Sequence, residues 1–368
     1  RFFYAFIVFL SHIPLFDVKN LALTYIQNDL FTEGYIGVSF FFVLSGFILT
    51  HKYKNSLLKR HISFKEFWVA RIARIYPLHL LTLMIALPLT YRDFFTSVYY
   101  WICQLVLNIT LLQSFIPIRS IHLSFNHPSW SISNEMFFYL LFPLIITLFF
   151  KFPKLKLISI ALLVVIPISI NFCPEDLQRG LFFFHPVVRV TDFIVGILLY
   201  DIFSVRKSEQ TVLRGSFWEV ASIILLALFV TFRNSVPEAY RFSCYYWLPT
   251  SAIILTFAHQ SGIFSRLLSH RILLSLGEVS FGFYLIHQLT IRYLTGINNK
   301  LDLTSNNYIL ISAMFFVSLL ASYITYYRIE LPISRYIKSK LRPKPDKLMQ
   351  DSSMKFDKDN NSKVISTH

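Results

Sequence analysis

Apolar residues fall in long runs along this chain, near 2–16, 34–51, 67–89, 97–115, 131–150, 155–171, 187–203, 217–232, 246–260, 276–296 and 307–327, with charged residues collected between them. A run of about 18 or more apolar residues is long enough, as a helix, to cross a hydrocarbon core of about 30 Å. Helices satisfy their own backbone hydrogen bonds in lipid, so the pattern predicts an all-α polytopic membrane protein. The basic stretch after the second run holds His51, Lys52, Lys54, Lys59, Arg60, Lys65, Arg71 and Arg74. By the positive-inside rule it belongs on the cytoplasmic side, which places the start of the chain inside and the net acidic loop 17–33 outside.

Strict alternation through the fourth run strands Lys151, Lys154, Lys156, Arg206, Lys207 and Arg214 on the outer side. If 97–115 enters without crossing, that conflict disappears. Arg266, Arg271 and the cations Lys338, Lys340, Arg342, Lys344 and Lys347 then also lie inside. The expectation is about ten transmembrane helices plus one re-entrant or interfacial segment, with both termini cytoplasmic. Re-entrant backbone needs protein or a water-filled cavity around it, so the stretch 97–130 is expected to wall a cavity. Residues 1–337 form one membrane domain without an internal repeat. Residues 338–368 turn basic and polar and are expected to be a disordered cytoplasmic tail. The chain opens at Arg1 rather than Met, with a first run slightly short for a span, which points to a fragment lacking a few N-terminal residues. No small-residue cleavage site follows Ser11, His12 and Pro14, which argues against a signal peptide.

Composition agrees with the pattern. The chain is 55% hydrophobic and 15% charged with a mean hydropathy of +0.54, too apolar for a soluble domain of 368 residues. Its formal charge of +15 is spread through the inter-run loops instead of forming one patch, so membrane lipid and not nucleic acid is the expected partner. Cys103, Cys173 and Cys244 show no CxxC spacing, and neither a metal site nor a redox motif is expected.

Against that background, ionisable residues inside apolar runs are expensive and invite a functional reading. Arg1 and His12 stand eleven residues apart, which returns them to nearly one helix face about 16 Å apart along the axis. His12 suits general-base work because the unperturbed pKa of an imidazole lies near neutrality, although an interfacial histidine with Arg1 as an anchor is the plainer reading. In the stretch Gly37-Val-Ser-Phe-Phe-Phe-Val-Leu-Ser-Gly46-Phe, the small residues point to close helix packing, and Ser45 is read as packing too. Arg71 and Arg74, at i and i+3, make an anion clamp at the start of a helix. Their forked guanidiniums suit the phosphates of a nucleotide-bearing substrate such as CoA, or equally a lipid headgroup. In Trp130-Ser131-Ile-Ser-Asn-Glu135-Met-Phe-Phe-Tyr139, Glu135 and Tyr139 share a face, and His12, at a similar depth, is the expected partner of Glu135. Ser280, Tyr284 and His287 follow i, i+4, i+7 spacing, which lines a substrate path or forms an interhelical hydrogen-bond ladder.

Taken in order, these segments resemble acyltransferase family 3, bacterial membrane enzymes that O-acylate surface glycans. The resemblance rests on Arg1 and His12, the glycine-bounded Phe run, Arg71 and Arg74 with Tyr76-Pro77 behind, Trp130-Ser131 to Glu135 and Tyr139, the Ser280 to His287 stripe, and Glu330-Leu-Pro332 near the end. It implies a membrane acyltransferase domain over 1–337 in the bacterial cytoplasmic membrane. Its donor would be acyl-CoA, acetyl-CoA by default, with no metal. Its acceptor would be a hydroxyl of a carbohydrate such as O-antigen or exopolysaccharide, including a lipid-linked glycan. His12 and Glu135 are the implied catalytic residues. Arg1, Arg71 and Arg74 would hold the donor, and Trp130, Ser131, Tyr139, Ser280, Tyr284 and His287 would line the substrates. Ser39 departs from the family, which often carries Asp there, so no carboxylate role transfers to it. Two other classes compete: a proton- or lipid-coupled transporter using His12, Glu135, Arg1 and His287 as a relay, which calls for an inverted repeat that the sequence lacks, and a structural membrane protein, for which so many intramembrane ionisable residues are costly.

Overall fold

Helix starts are locally written at a few points. Ser63 and Glu66 form a reciprocal capping box, Thr211 caps the helix at Val212, and Asn306 accepts from the amides of Tyr308 and Ile309. Elsewhere the apolar runs supply helices whose ends follow the charged and proline-bearing breaks. The computed structural model describes residues 1–13, 32–205 and 211–341. The acidic loop expected outside lies mostly beyond the described residues, as do Arg206, Lys207 and the tail from 342.

In chain order the helices are α1 (Phe2–His12), α2 (Ile36–Leu58), α3 (Phe64–Ala86), α4 (Tyr91–Thr96), α5 (Val98–Ile109), α6 (Ser129–Lys151), α7 (Lys154–Ser169), α8 (Pro186–Val205), α9 (Val212–Thr231), α10 (Trp247–Ala258), α11 (Arg271–Leu301), α12 (Asn307–Thr325) and α13 (Leu331–Leu341), joined by shorter helical turns. No strand occurs among the described residues. A wide π-helical turn, Tyr326–Glu330, joins α12 to α13.

Among the described residues, seven helical segments are long and apolar enough to cross a membrane, and a pair bent by 46° around Phe184 and Pro186 makes an eighth if counted as one span. This falls short of the ten crossings read from the runs. The run 2–16 gives an α1 of 11 residues, and the run 246–260 gives an α10 of 12 that stops at Ala258, before Gln260 takes a left-handed φ of 51°. At 1.5 Å per residue these are about 16–18 Å long. Helix α5, also 12 residues, is equally short. The chain beyond it comes back beside its first half: the Tyr100 hydroxyl lies 2.7 Å from Ser120 Oγ, and Gln104 donates to the Ser120 carbonyl at 2.7 Å.

The outer shell is apolar. In the segment Lys154–Phe172 only 11% of the most hydrophobic window is buried, and Leu157, Ile158, Val164 and Val165 all face outward. Such a belt is a lipid-facing surface. Polar contacts mark the two ends. Lys54 and Lys156 both pair with Asp201, at 2.6 and 2.7 Å, which gathers the end of α2, the start of α7 and the end of α8 at one end of the bundle. These half-exposed pairs contribute little stability. What they establish is sidedness, since the basic stretches around 54 and 156 share one end, as their charge requires. At the opposite end Glu33 pairs with Arg241 and accepts from Tyr35 and Tyr246.

Glycines allow the closest approaches. A Cβ on Gly46 would lie 2.1 Å from the Phe193 carbonyl oxygen of α8, and one on Gly196 would lie 2.0 Å from the Val43 carbonyl oxygen of α2. Gly37 does the same for α1 against α2, where a Cβ would meet Val8 at 2.8 Å. The small-residue reading of the 37–46 stretch therefore holds in the packing. The core beside it is aromatic, with Phe42, Phe138, Phe142 and Phe193 in mutual ring contact.

Candidate active site

Helix α11 passes two polar spaces and a histidine pair in turn. Near its start, Glu278 opens into a vestibule of about 600 Å³; Ser280, Phe281 and Tyr284 line a chamber of about 200 Å³; His287 follows one turn later. Glu278 and His287 are nine residues apart, about 14 Å along the axis.

The vestibule and chamber share Arg1, Lys52, Arg71, Arg74 and Phe281, so one cationic collar separates the two spaces. Arg71 is buried and fixed: its NH2 donates to the Tyr53 hydroxyl at 2.7 Å and its guanidinium lies over the rings of Tyr53 and Phe67. Its Nε has no partner among the described residues. Arg74 stays exposed to the shared space, within electrostatic reach of both Glu135 and Glu330. The pair stands deeper than a boundary clamp, because Arg71 comes seven residues, about 10 Å, after the first residue of α3.

Glu135 does not meet His12, contrary to the sequence expectation. It accepts from Ser45 Oγ and from the Tyr139 hydroxyl, both at 3.2 Å, and faces the arginines across the chamber. The reason is its position on α6: six residues past Ser129 carry it about 9 Å into the bundle, away from the end where α1 finishes.

His12 faces His287 instead. The rings are 5.1 Å apart, with His287 Nε2 3.4 Å from His12 Nδ1. His12 Nδ1 also lies 2.8 Å from the Val8 carbonyl oxygen, and His287 Nδ1 lies 3.3 Å from that of Phe283. A carbonyl only accepts, so both neutral rings carry the proton on Nδ1. His12 then shares its Nδ1–H between Val8 and the His287 Nε2 lone pair, and its own Nε2 is left as the base. His287 is fully buried among Phe9, Phe283 and Tyr284, whereas His12 is exposed. Tyr284 links the spaces, since it lines the chamber while its ring lies 5.9 Å from that of His287.

Of the other expected lining residues, Ser131, Tyr139, Ser280 and Tyr284 do face the chamber. Trp130 does not: it packs on Phe42, Phe183 and Phe184 in the core, because α6 presents its neighbour Ser131 instead. His287 lines no chamber wall and contacts His12. Ser45 and Lys52 were missed as site residues, although they are seven apart on α2 and so share a face, a spacing legible in the chain. Glu278 and the buried Glu330 also border the vestibule; Glu330 belongs to the Glu330-Leu-Pro332 element, and Glu278 could have been found as a carboxylate inside the run 276–296. At Ser39 the hydroxyl accepts from Arg189 at 2.8 Å, and the carboxylate beside that arginine is Asp192, at 2.7 Å. No group of three or more potential metal ligands occurs among the described residues.

A family model described as an acyltransferase domain matches residues 1–327. Among curated relatives, Acyltransferase MdmB of Streptomyces mycarofaciens is 32% identical over 319 residues, covering 80% of this chain and 78% of that protein. O-acetyltransferase OatA of Staphylococcus aureus is 26% identical over 362 residues, covering 89% of this chain and 57% of that protein, so the chain spans little more than half of OatA. No solved structure matches.

Proposed function

This chain belongs to acyltransferase family 3 and is an acyl-transferring enzyme, and from that premise we propose that it moves an acetyl group from acetyl-CoA to a hydroxyl of a cell-surface carbohydrate. The observation that carries this reading is the serial order of cationic collar, chamber and histidine pair along α11. A CoA donor is a polyanionic head on a thin arm that ends in the thioester. The wide vestibule beside Arg1, Lys52, Arg71 and Arg74 suits the head, because guanidiniums hold phosphate through paired hydrogen bonds. The narrower chamber suits the arm. At its far end, beyond Tyr284, His12 Nε2 takes the proton of the acceptor hydroxyl as that oxygen bonds to the acetyl carbon. The carbon–sulfur bond then breaks, and the sulfur leaves as thiolate and recovers the proton from the His12 imidazolium. His287 is a positioning residue that keeps the His12 ring in the productive tautomer and supports it when charged.

The basic end of the bundle, marked by Lys54, Lys156 and Asp201, is read as cytoplasmic, so CoA enters from inside a bacterial cytoplasmic membrane. The acceptor, including a lipid-linked glycan, comes from the other side. Ten crossings with α5 re-entrant remain the topology that best satisfies the loop charges.

Donor titration of the reconstituted protein tests this reading. Arg71→Ala and Arg74→Ala should each raise the KM for acetyl-CoA roughly tenfold or more, as expected for a lost charge-assisted contact. Arg71→Lys should fall between alanine and wild type, since it keeps the charge without the fork. With a truncated acetyl-pantetheine thioester lacking phosphates, the same variants should differ little from wild type. Equal losses with both donors would mean that the pair serves the helix and not the donor.

A further inference from the structure

Past His287, α11 reaches one more polar space. Arg292 follows five residues later, about 7.5 Å further along the axis, and borders a cleft of about 320 Å³ at the end of the bundle opposite the cationic vestibule. The guanidinium of Arg292 is held by the carbonyls of Phe125 at 2.7 Å and Leu89 at 3.4 Å. Asp93 of α4 faces it, within electrostatic reach. The Asp93 carboxylate, the Ser97 hydroxyl and the His127 ring all border this space, and none of them makes a hydrogen bond among the described residues. Tyr100 offers an exposed ring whose hydroxyl is tied back to Ser120 Oγ at 2.7 Å. Burial, helped by Arg292, His12 and Arg119, pushes the His127 imidazole down to about 4, so it is neutral near pH 7. His127 lies within electrostatic reach of His12, and Arg292 ties the cleft to the same helix as His287.

We propose that this cleft binds the acceptor as a neutral, polyhydroxylated sugar ring, whose reacting hydroxyl passes His127 to reach Nε2 of His12; this assignment rests on the acyl transfer proposed above. The chemistry favours a sugar over a phosphate. One carboxylate stands against one fixed guanidinium, so the cleft lacks the cation excess of the vestibule. Its open groups alternate acceptors and donors, as a ring of hydroxyls requires. The Tyr100 ring supplies the flat apolar face against which the C–H side of a sugar packs. A site built from fixed polar groups also discriminates, because a ligand that lacks the matching hydroxyl leaves them unpaired.

The test uses the whole chain in lipid nanodiscs with radiolabelled acetyl-CoA and, in separate reactions, the methyl glycosides of glucose, galactose, rhamnose and N-acetylglucosamine, counting both acetylated glycoside and free acetate. Asp93→Asn should raise the KM for the best-accepted glycoside about tenfold, the size of one lost hydrogen bond to a charged group, and Tyr100→Ala should raise it about threefold to tenfold through the lost ring face, each lowering kcat by less. The affinity for acetyl-CoA should stay as in wild type. Unchanged glycoside KM in both variants, with wild type active, overturns the cleft as the acceptor site, as does an altered acetyl-CoA affinity in its place. A wild type that binds acetyl-CoA and releases acetate through His12, yet acetylates none of the glycosides, overturns the carbohydrate assignment alone. A wild type that neither binds acetyl-CoA nor releases acetate overturns the transfer reading itself, and the cleft assignment falls with it.

Discussion

His12 and His287 lie 275 residues apart in the chain and meet at 3.4 Å, and the difference between their surroundings sets their roles. His12 keeps an exposed face with a free Nε2; His287 is enclosed by aromatic rings and can act only through its neighbour. Replacing His12 by alanine should lower kcat by about 10²–10⁴-fold, the range of general-base catalysis, with normal membrane insertion. At position 287 the two roles separate. His287→Leu removes one of the two acceptors of the His12 Nδ1–H, leaving the Val8 carbonyl, and should reduce kcat with little change in either KM, whereas His287→Gln returns an acceptor oxygen and should recover part of the loss. If leucine and glutamine are equally impaired, His287 is only packing. Much at this scale was legible beforehand, since His12, Arg71, Arg74, Glu135 and Tyr284 are ionisable or phenolic groups in apolar runs and Arg1 stands at the edge of one, where such groups are costly unless used. Which of them touch was not legible. The sequence puts Glu135 and His12 at similar depth, but α6 carries Glu135 about 9 Å further into the bundle, a distance that the edges of an apolar run are too coarse to show.

Among the elements, α2 is the most constrained, because its backbone is pressed against α1 on one side and α8 on the other. Gly46→Ala puts a methyl group into the Phe193 carbonyl and should destabilise the protein by about 2 kcal/mol or more, as overpacking does. Gly296→Ala is the matched control: nothing lies within 4 Å of its would-be Cβ, so the helix should gain about 0.5–1 kcal/mol. Thermal unfolding in detergent should therefore lower Tm for the first and hold or raise it for the second. A Gly46→Ala protein as stable as wild type would mean that α2 and α8 are not packed this closely. The sequence foresaw this contact in kind, since small residues within an apolar run mark a helix interface, but it named no partner helix. It read Ser45 chiefly as packing and left the partner of its hydroxyl, Glu135, unnamed, because a serine on a glycine-bearing face looks the same whether its hydroxyl meets a backbone or a carboxylate.

For the molecule as a whole, the vestibule and the acceptor cleft lie toward opposite ends of α11, with the histidines between them. Donor and acceptor should then enter from opposite sides of the membrane. In sealed proteoliposomes of a chain whose three cysteines are replaced by serine, Lys154→Cys and Asp93→Cys should react with an impermeant maleimide from opposite sides. Acetyl-CoA supplied on the Lys154 side should support transfer, and the same concentration on the other side should give only the rate expected from leakage. Equal activity from both sides, or both cysteines labelling from one side, would remove the through-membrane route and with it the non-crossing placement of α5.

The sequence by itself determined the helical class, the positions of the apolar helices and the clustering of basic loops, because period, length and charge are local properties that a bilayer reads directly. It also determined which side chains were too costly to be idle. The tertiary structure decided the rest: that α1 and α10 are shorter than their apolar runs, that Trp130 is core while Ser45 and Lys52 line the chamber, and that the partner of His12 is His287 and not Glu135. Those outcomes depend on how helices rotate and lean against one another. Rotation is set by packing across hundreds of residues of intervening chain, through glycine contacts and aromatic rings that only the assembled bundle brings together.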